Sequence, residues 1–175
     1  MQNTMKAILI VNGKEFPIEI HDPKLIEEIT PPKKTGYERA KSGCRYYYLN
    51  GKNLVFDNCE DYCVFDNEVY STANYYTSKT VAENNARADA LMRKLRRFAV
   101  ENGGIPDIAD WQSGKVKDKF TIYYNYDVNR IEIGRSEIQR YLGDIYFHSR
   151  FQAEKAVTEF KDELIWYFTE YKDSL

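Results

Sequence analysis

Two stretches of this chain carry apolar residues at helical spacing, and each is entered through an aromatic pair and a serine. In the first, Val81, Ala88, Leu91, Leu95, Phe98 and Ala99 fall on one face and predict a helix over 79–101. Asn102-Gly103-Gly104 ends it, because glycine takes the left-handed cap conformation without strain. In the second, Ala153, Ala156, Val157, Phe160, Leu164, Tyr167, Phe168 and Tyr171 share one side, and Ser149 with Gln152 three residues on forms a capping box. Ile165 and Trp166 fall off that stripe, so either another element covers them or they mark a contact surface. Aligning Ser78 with Ser149 also aligns Tyr76 with Phe147, Ala82 with Ala153 and Glu83 with Glu154. A tyrosine-rich strand precedes each helix, Tyr46-Tyr47-Tyr48 in one case and Tyr123-Tyr124-Asn125-Tyr126 in the other. The pattern reads as two related strand-then-helix units.

Between these stretches the pattern shortens to hairpins. Met5 to Ile20 reads as a hairpin: Ala7–Val11 is a short apolar run, Asn12-Gly13 tolerates the positive φ of a tight turn, Phe16, Ile18 and Ile20 alternate with Glu19 in the return strand, and Pro17 places that strand at an edge. Residues 21–29 predict one or two helical turns with Leu25, Ile26 and Ile29 facing inward, ended by Pro31-Pro32. A basic connector follows over 33–45, with Glu38 as its single acid. A second hairpin, Tyr46–Leu49 with Asn53–Phe56, turns at Asn50-Gly51. Residues 57–68 read as an acidic irregular loop, and 69–76 as one short strand or extended segment before the helix. Residues 105–119 form a linker with an exposed Trp111, and a third hairpin runs over 120–126 and 130–133. The class is α+β: antiparallel hairpins or sheets, each packed by one long amphipathic helix. The divisions fall at 1–32, 33–104 and 105–175.

Composition narrows the chemistry. A net charge of −2 argues against wholesale nucleic-acid binding through a basic surface, and is too small for a strongly acidic DNA mimic. The odd count of three cysteines, without a basic leader and apolar segment, points to free thiols in a reducing cytoplasm. No apolar run is long enough to span a bilayer. Cys44, Cys59 and Cys63 include no Cys-x-x-Cys pair, and a zinc site would need His21 or His148 as a further ligand, so no metal or cofactor is assigned. The acids Asp57, Glu60, Asp61, Asp66 and Glu68 leave three readings: a solvated loop, a magnesium site of a metal-dependent nuclease, or phosphate mimics that occupy a basic groove on a partner. Arg87, Arg93, Lys94, Arg96 and Arg97 are either the wet side of a helix or a phosphate-binding face, and Glu83 stands one turn before Arg87 in the favourable acid-first order. There is no phosphate loop, nucleophile elbow, zinc-protease motif or dinucleotide fingerprint.

Several strings carry a resemblance. Thr35-Gly36-Tyr37-Glu38-Arg39, followed by Tyr46-Tyr47-Tyr48 and an Asn-Gly turn, resembles accessory proteins of phages and mobile elements of Gram-positive bacteria. The junction Tyr75-Tyr76-Thr77-Ser78 with Ala82-Glu83 is similar, as are 122–127, 145–147 and Ala153-Glu154-Lys155-Ala156, so the likeness covers residues from about 33 onward. Some small phage proteins of this kind are anti-CRISPR inhibitors of type II effector nucleases, and no catalytic motif carries over. The resemblance implies a non-enzymatic inhibitor, working in the host cytoplasm, that binds a host defence protein. The specific expectation is a CRISPR type II effector–guide RNA complex whose nucleic-acid groove it blocks. Asp57, Glu60, Asp61, Asp66, Glu68 and Trp166 are then the partner-binding candidates. The alternative is a nucleic-acid-binding accessory protein using Arg87, Arg93, Lys94 and Arg97. Self-association into a homodimer through Ile165, Trp166 and Trp111 stays open beside a foreign partner.

Overall fold

Strands and helices alternate along the chain in a computed structural model that describes residues 4–30, 33–112 and 118–174. Each of six strands pairs with its sequence neighbour, giving three antiparallel hairpins, and six helices complete an α+β fold among the described residues. Contacts divide the chain into two compact units, Met1–Lys34 and Thr35–Leu175.

The first unit holds β1 (Met5–Val11), β2 (Lys14–Ile20) and α1 (Pro23–Ile29). Asn12 and Gly13 make its turn with φ of 50° and 77°, the left-handed pair that matches hairpin twist. Asp22 caps α1 by accepting from the Lys24 N–H at 3.0 Å. The inward face expected of α1 is only partly formed, because Ile26 is half-buried while Leu25 and Ile29 stay exposed. Pro31 and Pro32 lie outside the described residues.

The larger unit is built on two equivalent junctions. Its elements are β3 (Arg45–Leu49), β4 (Val55–Cys59), α2 (Val64–Ser71), α3 (Lys79–Glu101), α4 (Ile108–Gln112), β5 (Lys119–Asn125), β6 (Arg130–Ser136), α5 (Arg150–Glu159) and α6 (Lys161–Thr169). Ahead of α3, Tyr76 and Tyr47 of β3 exchange backbone hydrogen bonds at 2.7 and 2.9 Å. Ahead of α5, Phe147 and Phe120 of β5 do the same at 2.9 and 2.7 Å. Two residues on, Ser78 and Ser149 accept from the N–H groups of Val81 and Gln152, so a serine caps each helix as the sequence predicts. The aligned alanines Ala82 and Ala153 are fully buried, letting the first helical turn sit close on the strand. Even the preceding tyrosines match: the hydroxyls of Tyr75 and Tyr146 each accept a backbone N–H, from Ala40 at 3.1 Å and Tyr141 at 2.9 Å.

Helix α3 belongs to both junctions. Its 23 residues span about 35 Å at 1.5 Å rise per residue. Val81 and Ala82 pack with Tyr76 beside Tyr37, Tyr47, Leu49 and Val55. Leu91, Leu95, Phe98 and Ala99 form the larger core with Phe147, Ala153, Ala156 and Leu164. Gln152 ties the end of α3 to the start of α5: its Nε2 donates to Ala99 O at 2.7 Å and Gly104 O at 3.2 Å, while its Oε1 accepts from the His148 N–H at 3.0 Å. From Thr35 onward, the segments expected to divide at 104/105 thus lie in one unit that shares α3.

Four expectations are corrected. Asn50-Gly51 is not a two-residue turn; β3 and β4 close at Leu49 and Val55, and the Asn50 side chain accepts from the Lys52 and Leu54 N–H groups to fold a longer loop. The loop expected over 57–68 and most of the strand or extended segment over 69–76 are instead the end of β4, helix α2 and a turn, with only 74–76 extended and Tyr76 bridged to Tyr47. Trp111 is half-buried on α4, edge-on to Tyr146 with ring centroids 4.9 Å apart. The last helix breaks at Phe160, whose turned backbone lets its ring meet Phe98 edge-on at 5.7 Å while Leu164 enters the core.

Because Phe147 is fully enclosed, Phe147→Ala is expected to cost about 3–5 kcal/mol in urea denaturation. Ser149→Ala should cost about 1 kcal/mol. Phe151→Ala, on the open side of α5, should stay within about 0.5 kcal/mol.

Candidate functional site

The acidic stretch does not form an open loop. Two of its carboxylates turn inward and organise the chain around them. Glu60 is almost completely enclosed. It accepts from Arg39 through Nε at 3.1 Å and Nη2 at 3.0 Å, from the Tyr75 hydroxyl at 2.8 Å and from the Tyr62 N–H at 2.9 Å. Asp66, fully enclosed on α2, accepts from the Tyr46 hydroxyl at 2.6 Å and from the Asp61 and Cys63 N–H groups at 2.9 and 3.3 Å. The two tyrosines that serve these carboxylates stack on each other, centroids 4.1 Å apart and 14° from parallel. The Arg39 guanidinium spans the rings of Tyr62 and Tyr70 at 4.7 and 5.1 Å.

Electrostatics follow from this geometry. The Arg39 hydrogen bond holds the Glu60 carboxyl below its ordinary range, and the Tyr46 hydroxyl does the same for Asp66. Burial, reinforced by the neighbouring carboxylates, pushes the Tyr46 and Tyr75 hydroxyls up. Glu38, the single acid of the basic connector, is held at about 2 by the N–H of Thr35, and it also accepts from the Gly36 N–H at 3.1 Å and the Thr77 hydroxyl at 3.2 Å.

This network presents an aromatic face. Tyr62 is held at a φ of +59°, strained for an aromatic residue, by its N–H bond to Glu60. On the same side of the β3–β4 hairpin, Tyr48 touches Phe56 and Phe65, with centroids 6.0 and 5.2 Å away. Tyr62, Val64, Phe65 and Phe56 are all exposed. Glu68 lies one turn beyond Val64 and Phe65 on α2, and Asp61 precedes the helix; both are exposed.

The partner-binding candidates therefore separate. Asp61 and Glu68 flank the aromatic face. Glu60 and Asp66 do not reach the surface, because their oxygens are consumed by internal donors. Asp57 stands on the opposite face of the hairpin, opposite Tyr47 in register and 3.3 Å from Arg45. Trp166 is buried, with the Arg87 guanidinium 3.9 Å over its ring, so it offers no contact surface; Ile165 remains partly exposed. Val64 and Phe65 were missed by the sequence reading because their stretch was taken for a loop, and Phe56 was read only as a strand residue; the apolar spacing of Val64, Phe65 and Val69 was the available signal.

The basic face is also partly committed. Arg87 pairs with Glu163 at 2.9 Å rather than with Glu83, which pairs with Lys79 at 3.3 Å. Arg97 leans to Glu101 at 3.9 Å. Arg93, Lys94 and Arg96 are exposed and have no acidic partner among the described residues.

Ligand atoms of Asp61, Cys63 and Asp66 come within 4.8 Å of one another. Their hydrogen bonds already belong to the N-terminus of α2, where Asp66 turns back to the Cys63 N–H in the manner of a capping box. Cys44, Cys59 and Cys63 are exposed free thiols. No helix among the described residues is long and apolar enough to cross a membrane. Comparison with known protein families, curated proteins and solved structures finds no match.

Both buried carboxylates titrate lower in the fold than in the unfolded chain, where Glu and Asp ionise near about 4.3 and 3.9. Their stabilisation is therefore complete above about pH 4.5 and is lost as pH falls toward the folded values. Acid unfolding followed by circular dichroism should steepen below about pH 4.5. Glu60→Gln should cost about 2–3 kcal/mol at neutral pH and flatten that acid limb.

Proposed function

We propose that this protein is a non-enzymatic binder of a basic protein surface, engaging it through the aromatic face around α2. The observation that carries this reading is the exposure of Tyr62, Val64, Phe65 and Phe56 beside a backbone that buried Glu60 and Asp66 hold at Asp61 and Tyr62. Exposed aromatic and apolar side chains are the usual anchors of protein interfaces, and a backbone fixed in advance loses little entropy on docking. Asp61 and Glu68 at the margin favour arginine and lysine on the partner and disfavour acids.

The phage-accessory resemblance narrows that partner to a host defence protein, most specifically a CRISPR type II effector bound to its guide RNA. Such effectors hold nucleic acid in a positively charged channel and read a short duplex motif with arginines. Occlusion of that channel needs shape and charge only, and no bond-making step. A homodimer of the inhibitor is compatible with this role.

A second reading has one observation in its favour. Arg96 and Arg140 line a depression of about 420 Å³ beside the exposed ring of Tyr141. Guanidinium groups next to a free aromatic ring suit a single nucleic-acid strand.

Biolayer interferometry against a purified type II effector–guide complex tests the leading reading. Phe65→Ala and Glu68→Lys should each weaken binding about tenfold or more, while Asp57→Asn on the opposite face should change it little. Binding unaffected by Phe65→Ala and Glu68→Lys would exclude this face. Absence of any binding would remove the type II effector as partner. Affinity for free single-stranded RNA that falls steeply with salt and with Arg96→Ala would favour the second reading.

A further inference from the structure

Among the described residues the N-terminal hairpin leaves an apolar strand edge unpaired, and we propose that β1 pairs antiparallel with β1 of a second copy of this chain. Two hairpins then join into one four-stranded sheet in the order β2-β1-β1-β2. This inference is independent of the α2 face.

Register places Met5, Ala7, Leu9 and Val11 on the same face as Phe16, Ile18 and Ile20. Ile8 and Ile10 occupy the other face, opposite Pro17 and Glu15. The strand is therefore apolar on both sides over Ala7–Val11, the pattern of a strand inside a sheet rather than at its margin. Yet within its unit no described residue is buried, and Ile8 and Ile10 are 63% and 65% exposed. Helix α1 reaches only the near end of the sheet, where the Thr30 hydroxyl lies 3.9 Å from the Met5 sulfur. A lone two-stranded hairpin is marginal in water, so an apolar one calls for further strands.

The two edges are not equivalent. β2 carries Lys14, Glu15, Pro17 and Glu19, the charges and proline that discourage strand addition. β1 has neither a charge nor a proline from Ala7 to Val11. Strand addition is thus directed to β1.

Symmetry selects the occupant. A two-fold axis perpendicular to the sheet, passing between the two β1 strands beside their midpoint, brings residues of the same parity opposite one another. The face carrying Leu9 then continues across both copies, and so does the face carrying Ile8 and Ile10. Pairing β1 with itself opposes no like charges, since the paired stretch has none. A foreign strand would have to be apolar on both faces to do as well, whereas a second copy is so by construction.

Sedimentation equilibrium of the full chain should give twice the 20.6 kDa monomer mass at high concentration and dissociation on dilution. Ile10→Lys should weaken the dimer on the order of tenfold, because the two-fold repeats the perturbation in both copies. The same change keeps the hairpin, since the new ammonium faces Glu15 across the turn. A second arm introduces no charge. With Cys44, Cys59 and Cys63 replaced by serine, Ile8→Cys, Leu9→Cys and Ile10→Cys are oxidised one at a time. At least one central position should form a covalent dimer, and Phe16→Cys on the next strand should not. A monomer mass at every concentration, failure of all three β1 cysteines to cross-link, or a dimer indifferent to Ile10→Lys would each overturn the proposal.

Discussion

The larger unit depends on one construction used twice: an aromatic residue bridged by two backbone hydrogen bonds to the first strand of a hairpin, two residues before a serine-capped helix. The bridges Tyr47–Tyr76 and Phe120–Phe147 fix where α3 and α5 begin relative to β3 and β5. They also satisfy backbone groups that would otherwise be buried without partners, a loss of roughly 1–3 kcal/mol for each unsatisfied group. Short hairpins cannot stand alone in water, so each must be held against a helix. Sharing α3 lets one amphipathic helix serve both. Its Val81–Ala82 end meets the first hairpin, and its Leu91–Ala99 stretch meets the second junction and α5.

The buried carboxylates show a different economy. Taking Glu60 and Asp66 out of water is costly, and only near-complete hydrogen bonding offsets it. Glu60 meets Arg39, Tyr75 and a backbone amide; Asp66 meets Tyr46 and two backbone amides. These partners lie far apart in sequence, so the carboxylates bind the connector, the β3–β4 hairpin, α2 and the junction tyrosine into one piece. Apolar packing in the small cluster of Ala40, Tyr46, Val69 and Tyr75 could fill the same space, yet it would not dictate the path of Asp61–Cys63. Directional bonds do, and they hold Tyr62 in a backbone conformation that an aromatic residue seldom adopts.

Elements governed by local periodicity were legible in the sequence. Helix α3 runs over the residues its apolar spacing predicts, and Ser78 and Ser149 cap as their positions suggest. The Asn12-Gly13 hairpin closes as read, because the turn chemistry and the strand alternation agree. Asn50-Gly51 misled for lack of that agreement: the Asn50 side chain competes for the turn amides and lengthens the loop. Helix α2 was hidden because the acids of 57–68 resemble a solvated loop, and only the distant Arg39, Tyr46 and Tyr75 turn Glu60 and Asp66 into core residues. Trp166 was hidden for a similar reason, since its cover comes from Arg87 on another helix. Local pattern reports amphipathicity; it does not report which distant donor will meet a carboxylate or which guanidinium will roof an indole.

A net charge of −2 consequently says little about what this molecule touches. Glu60 is paired with Arg39 inside the fold, Asp66 is enclosed among a tyrosine hydroxyl and backbone N–H groups, and Arg87 and Arg97 lie against acids of their own chain. Two groups of solvent-facing charges concern the candidate faces: Asp61 and Glu68 beside the aromatic face of α2, and Arg93, Lys94 and Arg96 along α3. A partner approaching within a Debye length of about 8 Å at physiological salt meets one local field or the other, not their sum. The α2 field differs because it accompanies apolar surface whose backbone is already fixed. Coulomb attraction to a basic partner can then be followed by burial of Phe65, Phe56 and Val64 without the ordering cost a mobile loop would impose. On this account the inward acids matter to recognition although no partner can reach them. They determine the shape that the outward residues present.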